Sequence, residues 1–233
     1  MSHKNELISI LISVYNNEKS VRKSIESLQN QSHQNIEILI LDDASSDNSW
    51  EIIAKLASED SRLKCFRNKN NLGLTKSLNI LFSHTNGKIF ARQDSDDYSH
   101  PNRLEKQIHF LKANNLDACT TYAKGIQSKK ILHKKTSFIP PKYLMKFKNP
   151  FIHGTLMGFV ESVKSIDYYD EAFFYAQDYK LFADLYKSGN NIKILKEGLY
   201  YLNQKNNISE LYSEKQAYYA NCVKKGYVPK IES

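Results

Sequence analysis

Short apolar blocks alternate along the first hundred residues with blocks whose apolar positions recur every three or four. Ile8-Ser-Ile-Leu-Ile-Ser-Val-Tyr15 has the length and β-branching of a buried strand, and Asn16-Asn17 turns the chain after it. Over 18–31, Val21, Ile25 and Leu28 fall at +4 and +7, which predicts a helix. Ile36-Glu-Ile-Leu-Ile-Leu41 predicts a second strand, closed by the acidic turn Asp42-Asp43-Ala-Ser-Ser-Asp47. Asp47 is placed to cap a helix over 48–58, whose apolar face includes Trp50, Ile53, Ala54 and Ala57. A third strand is expected over 63–66, a loop over 68–73, a helix over 74–83 and a fourth strand over 88–92. Gln93-Asp-Ser-Asp-Asp97 follows at once.

Strands alternating with helices through short loops predict an α/β fold with a doubly wound, mostly parallel sheet. Both acidic clusters fall just past the carboxyl ends of strands, where open α/β sheets take ligands. The second half is less regular. Helices are expected over 101–112, 177–188 and 209–225, and a strand over 151–160.

Composition narrows the class. With 233 residues, 41% hydrophobic and 25% charged, the chain is one large globular domain or a domain with an appendage, not a disordered or coiled-coil protein. Cys65, Cys119 and Cys222 lie far apart, which argues against a cysteine-built zinc site and for a reducing cytoplasm. No apolar run nears the ~20 residues of a membrane span, and the start does not read as a signal peptide. The formal net charge of +8 suggests an anionic partner. It is unevenly placed: 118–160 holds eight lysines and no Asp or Glu. No recognisable nucleic-acid-binding module occurs, so a nucleic acid partner is not expected.

Asp94-Ser95-Asp96-Asp97 is the strongest local signal. Three carboxylates within four residues repel one another unless a cation or hydrogen-bond donors compensate, and such oxygen ligands suit Mg²⁺ or Mn²⁺. An acidic surface turn is the alternative for a lone D-x-D. Asp42-Asp43 at an earlier strand end adds a carboxylate for a nucleotide base. No Walker-type or GxGxxG loop occurs, which leaves metal-mediated binding of a diphosphate. A receiver domain fits poorly, since its acidic pair follows the first strand.

In order and spacing these blocks resemble inverting glycosyltransferases of family 2, which have the GT-A fold. The resemblance rests on the blocks at 8–18, 36–49 and 87–97, with Ser27-Leu-Gln-Asn-Gln31, Asn71-Leu-Gly-Leu74 and Pro101-Asn-Arg-Leu-Glu105. It continues in Asn149-Pro-Phe-Ile-His153, Tyr169-Asp-Glu171 and Ala176-Gln-Asp-Tyr-Lys-Leu181 and covers about 6–209. Ala91-Arg-Gln-Asp-Ser-Asp-Asp97 resembles the bacterial subgroup that builds capsule, exopolysaccharide and lipopolysaccharide sugars.

The resemblance implies roles residue by residue. Ser13 and Tyr15 would line a uridine pocket, with Tyr15 stacking on the base, and Asp43 would accept from the uracil N–H. Glu18 would position nucleotide or loop. Asp94 and Ser95 would lie by the nucleotide, and Asp96 with Asp94 would hold Mn²⁺ or Mg²⁺. Asp178 would be the general base, with Gln177 where relatives often have Glu. Asp97 and His153 are candidates for sugar, metal-shell or acceptor contacts, and His153 is equally open to a structural role. Gln204 falls about where many relatives carry a metal-shell His, so the third protein ligand stays open.

The expected organisation is a nucleotide-sugar-binding half over 1–100, an acceptor and catalytic-base half over 101–208, and a helical tail over 209–233. The expected partners are a UDP-sugar donor and a glycan or glycolipid acceptor. A non-catalytic nucleotide-sugar-binding partner in a polysaccharide assembly complex is the alternative. The expected place is the cytoplasm, at the inner face of the membrane, through the lysine stretch and an apolar face of Leu211, Tyr218, Tyr219, Cys222 and Val223. That face is equally open to packing on the domain or in a dimer.

Overall fold

The computed structural model of the chain describes residues 6–132, 138–204 and 212–230. Strands β1 (Ile8–Val14), β2 (Ile36–Asp42), β3 (Leu63–Arg67) and β4 (Ile89–Arg92) are parallel, in the order β3-β2-β1-β4. Helices α1 (Val21–Gln29), α2 (Ser49–Glu59) and α3 (Leu74–Ser83) connect them. Neighbouring residues of β1 part to opposite faces. Ile8, Ile10, Ile12 and Val14 pack in one core with Val21, Ile25 and Leu28 of α1, while Leu11 packs in another with Leu78 and Leu81 of α3. β2 divides in the same way. Burial on both faces is why these strands read as apolar runs rather than as alternation.

The sheet continues β4-β7-β6-β8-β5. Its members are β5 (Tyr98–Ser99), β6 (Ala118–Gly125), β7 (Met157–Phe159) and β8 (Ile192–Leu202). β7 is antiparallel to both neighbours, β5 is antiparallel to β8, and β6 is parallel to β8. The helices of this half are α4 (Arg103–Ala113), α5 (Pro141–Leu144), α6 (Val160–Lys164), α7 (Gln177–Lys187) and α8 (Ser213–Lys225).

Two expectations change. The strand expected over 151–160 is a 3₁₀ turn at His153–Thr155, three residues of β7, and then α6. Thr155 causes the break: its hydroxyl donates to Ile152 O at 2.8 Å and accepts Thr121 N–H at 3.0 Å. The apolar face of α2 is carried by Ile53 and Leu56, with Trp50 and Ala54 only half-buried. Of the expected terminal helix, 209–211 lie outside the described residues. Part of the apolar face of α8 packs on the domain itself, Tyr219 and Cys222 against Phe173, Ala176 and Tyr179, while Tyr218 stays exposed.

Candidate active site

Parallel register sets the site. Val14 pairs with Asp42 and Leu11 with Arg92, so the loops after β1, β2 and β4 emerge together at one edge of the sheet. Side chains then tie these loops to one another. Asp43 N–H donates to Val14 O at 2.8 Å, and Asn17 Nδ2 donates to Ser95 Oγ at 2.8 Å. Glu18 N–H donates to Asp47 Oδ2 at 3.0 Å, and Glu18 Oε2 accepts from Asn48 Nδ2 at 2.8 Å. Asp47 Oδ1 also accepts from Ser49 N–H at 3.0 Å, but the cap position itself is Asn48, so Asp47 braces the start of α2 from one residue before it rather than capping it.

The result is a cavity of about 770 Å³ lined by Ser13, Tyr15, Glu18, Asp43, Asp94, Ser95 and Asp96, among others. Ser13, Tyr15, Glu18, Asp43, Asp94, Ser95 and Asp96, the nucleotide residues and the two direct metal ligands expected from the sequence, are therefore all on its wall. Tyr15 lines the cavity and is 53% exposed. Asp43 is buried and holds the 68–73 loop. Its Oδ1 accepts from Asn68 Nδ2 at 2.7 Å and Leu72 N–H at 2.9 Å, and its Oδ2 accepts from Gly73 N–H at 2.8 Å. Gly73 adopts φ +85°, a value that a glycine takes without strain. Three of the roughly four acceptor positions of a carboxylate are thus filled, and one remains.

The acidic turn after β4 stands on two buried arginines. Arg92 Nη1 pairs with Asp94 Oδ1 at 2.6 Å. Burial works to lower the pKa of this guanidinium, but the charge of Asp94, with smaller contributions that include its hydrogen bond, outweighs burial and raises it. Arg103 donates from Nη2 to Arg92 O at 2.5 Å and from Nη1 to Ser99 Oγ at 2.8 Å, which fixes the backbone on both sides of the turn. Asp94 N–H donates to Tyr200 Oη at 2.9 Å. Burial, and then the charge of Asp94, pushes the Asp96 carboxyl up. A site that stacks like charges in this way favours a cation.

The remaining candidates do not line the cavity. Asp97 is 4% exposed and turned inward, where its Oδ1 accepts from Asn203 N–H at 2.6 Å. Burial and its acidic neighbours push it up to about 8. His153 bonds through Nε2 to Tyr169 Oη at 2.6 Å, and burial with the nearby Arg92 charge drives it well below the usual histidine range. Gln177 opens α7. Asp178 follows it, half-buried, and its Oδ2 accepts from Asn149 Nδ2 at 2.7 Å. Burial raises the Asp178 carboxyl, against the lowering effects of Tyr179 N–H, Asn149 and Arg92. Ala176, just before this pair, has φ +52°, which costs a non-glycine residue about 1–2 kcal/mol. Gln216 of α8 braces it by accepting Ala176 N–H at 3.1 Å.

Among the described residues no three His, Cys, Asp or Glu side chains form a metal cluster. The donor set toward the cavity is Asp94 and Asp96, hard oxygen ligands that fit Mg²⁺ or Mn²⁺ when substrate oxygens and water complete the shell. Gln204 does not join them, since its Oε1 accepts from Ser128 N–H at 3.2 Å. Asn203 stands there instead and donates from Nδ2 to Asp96 Oδ2 at 3.3 Å. Asn203, Arg92 and Asn149 have no functional role in the sequence reading. Only Arg92 left a signal, as a cation two residues before an acidic run.

Residues 9–175 match the family described as Glycosyl transferase family 2. A Bacillus subtilis (strain 168) protein named putative glycosyltransferase EpsE is 38% identical over 157 residues, or 64% of this chain and 55% of that protein. An Escherichia coli protein, UDP-Glc:alpha-D-GlcNAc-diphosphoundecaprenol beta-1,3-glucosyltransferase WfaP, is 37% identical over 111 residues, or 48% of this chain and 43% of its own. The chain spans about half the length of the curated relatives it matches. Among solved structures, S. aureus TarS 1-349 in complex with UDP has a TM-score of 0.74 at 21% identity, covering 93% of this chain and 64% of that one. Mannosyltransferase PcManGT from Pyrobaculum calidifontis, in complex with GDP-Man and Mn²⁺, has a TM-score of 0.74 at 14% identity, with 95% and 65% covered. At these identities the likeness is one of fold, and the fold is GT-A. The family match takes in all three loops of the cavity, and the chain belongs to glycosyl transferase family 2.

Proposed function

We propose that this chain transfers a sugar, with inversion, from a UDP-sugar to a hydroxyl of a bacterial surface glycan or its lipid-linked precursor. The observation that carries this reading is one cavity walled by Ser13, Tyr15 and Asp43 together with Asp94-Ser95-Asp96. Tyr15 stacks on uracil, and the remaining acceptor position of Asp43 takes the uracil N3–H. Asp94 and Asp96 would hold Mn²⁺ or Mg²⁺, whose charge offsets that growing on the leaving diphosphate. Residues 1–100 serve the donor, 101–208 the acceptor and base.

Asp178 takes the proton from the acceptor hydroxyl as its oxygen attacks the anomeric carbon opposite the diphosphate. Asn149 orients the carboxylate for that transfer. The raised affinity of Asp178 for a proton suits a base, and activity should rise with pH as this group ionises. Neighbours support the donor class. TarS is solved with UDP-GlcNAc, and WfaP is named for a UDP-Glc donor and a diphosphoundecaprenol acceptor. PcManGT is solved with GDP-Man, so the fold alone does not select uridine; Asp43 and Tyr15 carry that choice. A lipid-linked acceptor places the protein at the inner membrane face, and no described helix is long and apolar enough to cross a membrane.

Asp178→Asn tests the assignment. It should bind UDP as the wild type does and lose about 10²–10⁴-fold in turnover. Wild-type turnover in this variant would remove Asp178 from the mechanism.

A further inference from the structure

Residues 138–148 carry an apolar and basic ridge outward. Helical turns run from Pro140 to Lys148, with α5 as the first, and Leu144 is the buried anchor. Tyr179 Oη clamps the same turns by donating to Met145 O. Phe138, Tyr143 and Phe147 are 79%, 60% and 72% exposed, respectively. Tyr143 and Phe147 are four residues apart and share one side of these turns. Lys142 and Lys146, also four apart, lie beside them, and Lys148 follows. All three lysines are exposed. No ion pair engages them among the described residues. Inside the ridge, Phe138, Pro141 and Leu144 wall an apolar groove of about 430 Å³, which widens the apolar surface beyond the three rings.

Exposed rings beside unpaired cations are what an interface between water and anionic lipid accommodates. Rings sit at the headgroup level, and lysine stems run along apolar surface while their ammonium groups reach phosphate. A second copy of the chain matches the ridge poorly, because lysine would meet lysine with no carboxylate on the ridge to answer it. Of the other apolar candidate, the face of α8, Tyr219 and Cys222 are covered by Phe173, Ala176 and Tyr179, which leaves Tyr218 as its exposed ring among the described residues. Position adds a functional argument: the ridge runs directly into Asn149, which holds Asp178.

We infer that 138–148 is a membrane-docking ridge that seats the protein on an anionic bilayer, so that a lipid-borne hydroxyl arrives beside Asp178. The purpose rests on the reading of the acceptor as lipid-linked; the binding itself does not.

Co-sedimentation of the full chain with vesicles tests it, using equal parts phosphatidylglycerol and phosphatidylcholine against phosphatidylcholine alone. The wild type should pellet with the anionic vesicles at low salt and far less with the neutral ones. Lys142→Ser/Lys146→Ser/Lys148→Ser should lower the partition coefficient about a hundredfold at unchanged melting temperature. The matching Lys→Arg triple variant should restore binding, and Tyr143→Ser/Phe147→Ser should weaken the part that survives high salt. A wild type that stays in solution, or serine variants that pellet like it, would overturn the inference. Hydrolysis of UDP-sugars in solution is read in parallel. Turnover without pelleting would sink the ridge alone, and pelleting without turnover on any nucleotide sugar would sink the functional reading alone.

Discussion

Glu37→Gln should be among the costliest single changes to stability, and it should leave the cavity intact. Glu37 is 4% exposed, at the edge of the sheet away from the site. Its Oε1 accepts from Ser9 Oγ at 2.6 Å and Asn86 N–H at 2.7 Å, and its Oε2 accepts from Asn86 Nδ2 at 2.7 Å and Lys64 Nζ at 2.8 Å. The group therefore joins β1, β2, β3 and the turn before β4. Burial would raise its pKa, but Lys64, Ser9 and Asn86 outweigh burial and lower it from 4.5 to about 2. That difference is worth about 3 kcal/mol of stability at neutral pH. Glutamine keeps part of the bonding, so the expected loss is about 2–3 kcal/mol, or about 5–10 °C in melting temperature for a chain of this size. The folded pKa is the lower one, so this stabilisation is full above 4.5 and fades as pH falls toward 2. At pH 3 only about 1 kcal/mol of it should remain. Urea unfolding of both proteins at pH 7, 5 and 3 measures the gap. A gap below about 1 kcal/mol at pH 7, or one as wide at pH 3, would refute the reasoning.

Other perturbations act at the site. Asp96→Ala should abolish the tightening of UDP binding by Mn²⁺ in calorimetry; tightening equal to the wild type's would exclude Asp96 as a ligand. Gly154→Ala should disrupt the acidic turn, because an added Cβ would lie 2.3 Å from Tyr200 Oη and 2.6 Å from Asp94 Oδ2. Turnover in that variant should drop at least ~10-fold, and full activity would contradict the close packing. Asn149→Ala should lower kcat about tenfold with little change in donor KM, and a pure KM effect would place Asn149 in donor binding instead. UDP should bind more tightly than CDP, whose base has no N3–H for Asp43, and the reverse order in calorimetry would remove the uracil assignment.

The parallel half was legible because β1 and β2 are buried on both faces and are therefore mostly apolar. The helices beside them show clean three-to-four spacing, as in Val21, Ile25 and Leu28. The far half was not. β6 buries Thr120 and Thr121 and is bulged at Tyr122 against β8, so neither strand carries a period that local reading detects. The cavity's acidic residues were legible as clusters at strand ends. The supports of the candidate residues were not, because Asn203 reaches Asp96 in the cavity wall across 107 residues and Asn149 reaches Asp178 on α7 across 29. Asp97 reads like its neighbours in sequence, yet the two-residue β5 that follows it pairs with β8 and draws its carboxylate inward to Asn203. The apolar face of α8 was visible, but whether it meets protein or lipid depends on Phe173 and Tyr179, which only the fold brings to it.

The central claim is metal-dependent transfer from a nucleotide sugar. The direct measurement is release of nucleoside diphosphate from a panel of UDP-, GDP- and CDP-sugars, with Mn²⁺ or Mg²⁺ and with excess EDTA. UDP should be released from at least one UDP-sugar, and that release should be lost in EDTA and in Asp178→Asn. Release that persists undiminished in EDTA, or no release from any UDP-sugar while a GDP- or CDP-sugar is turned over, would contradict it.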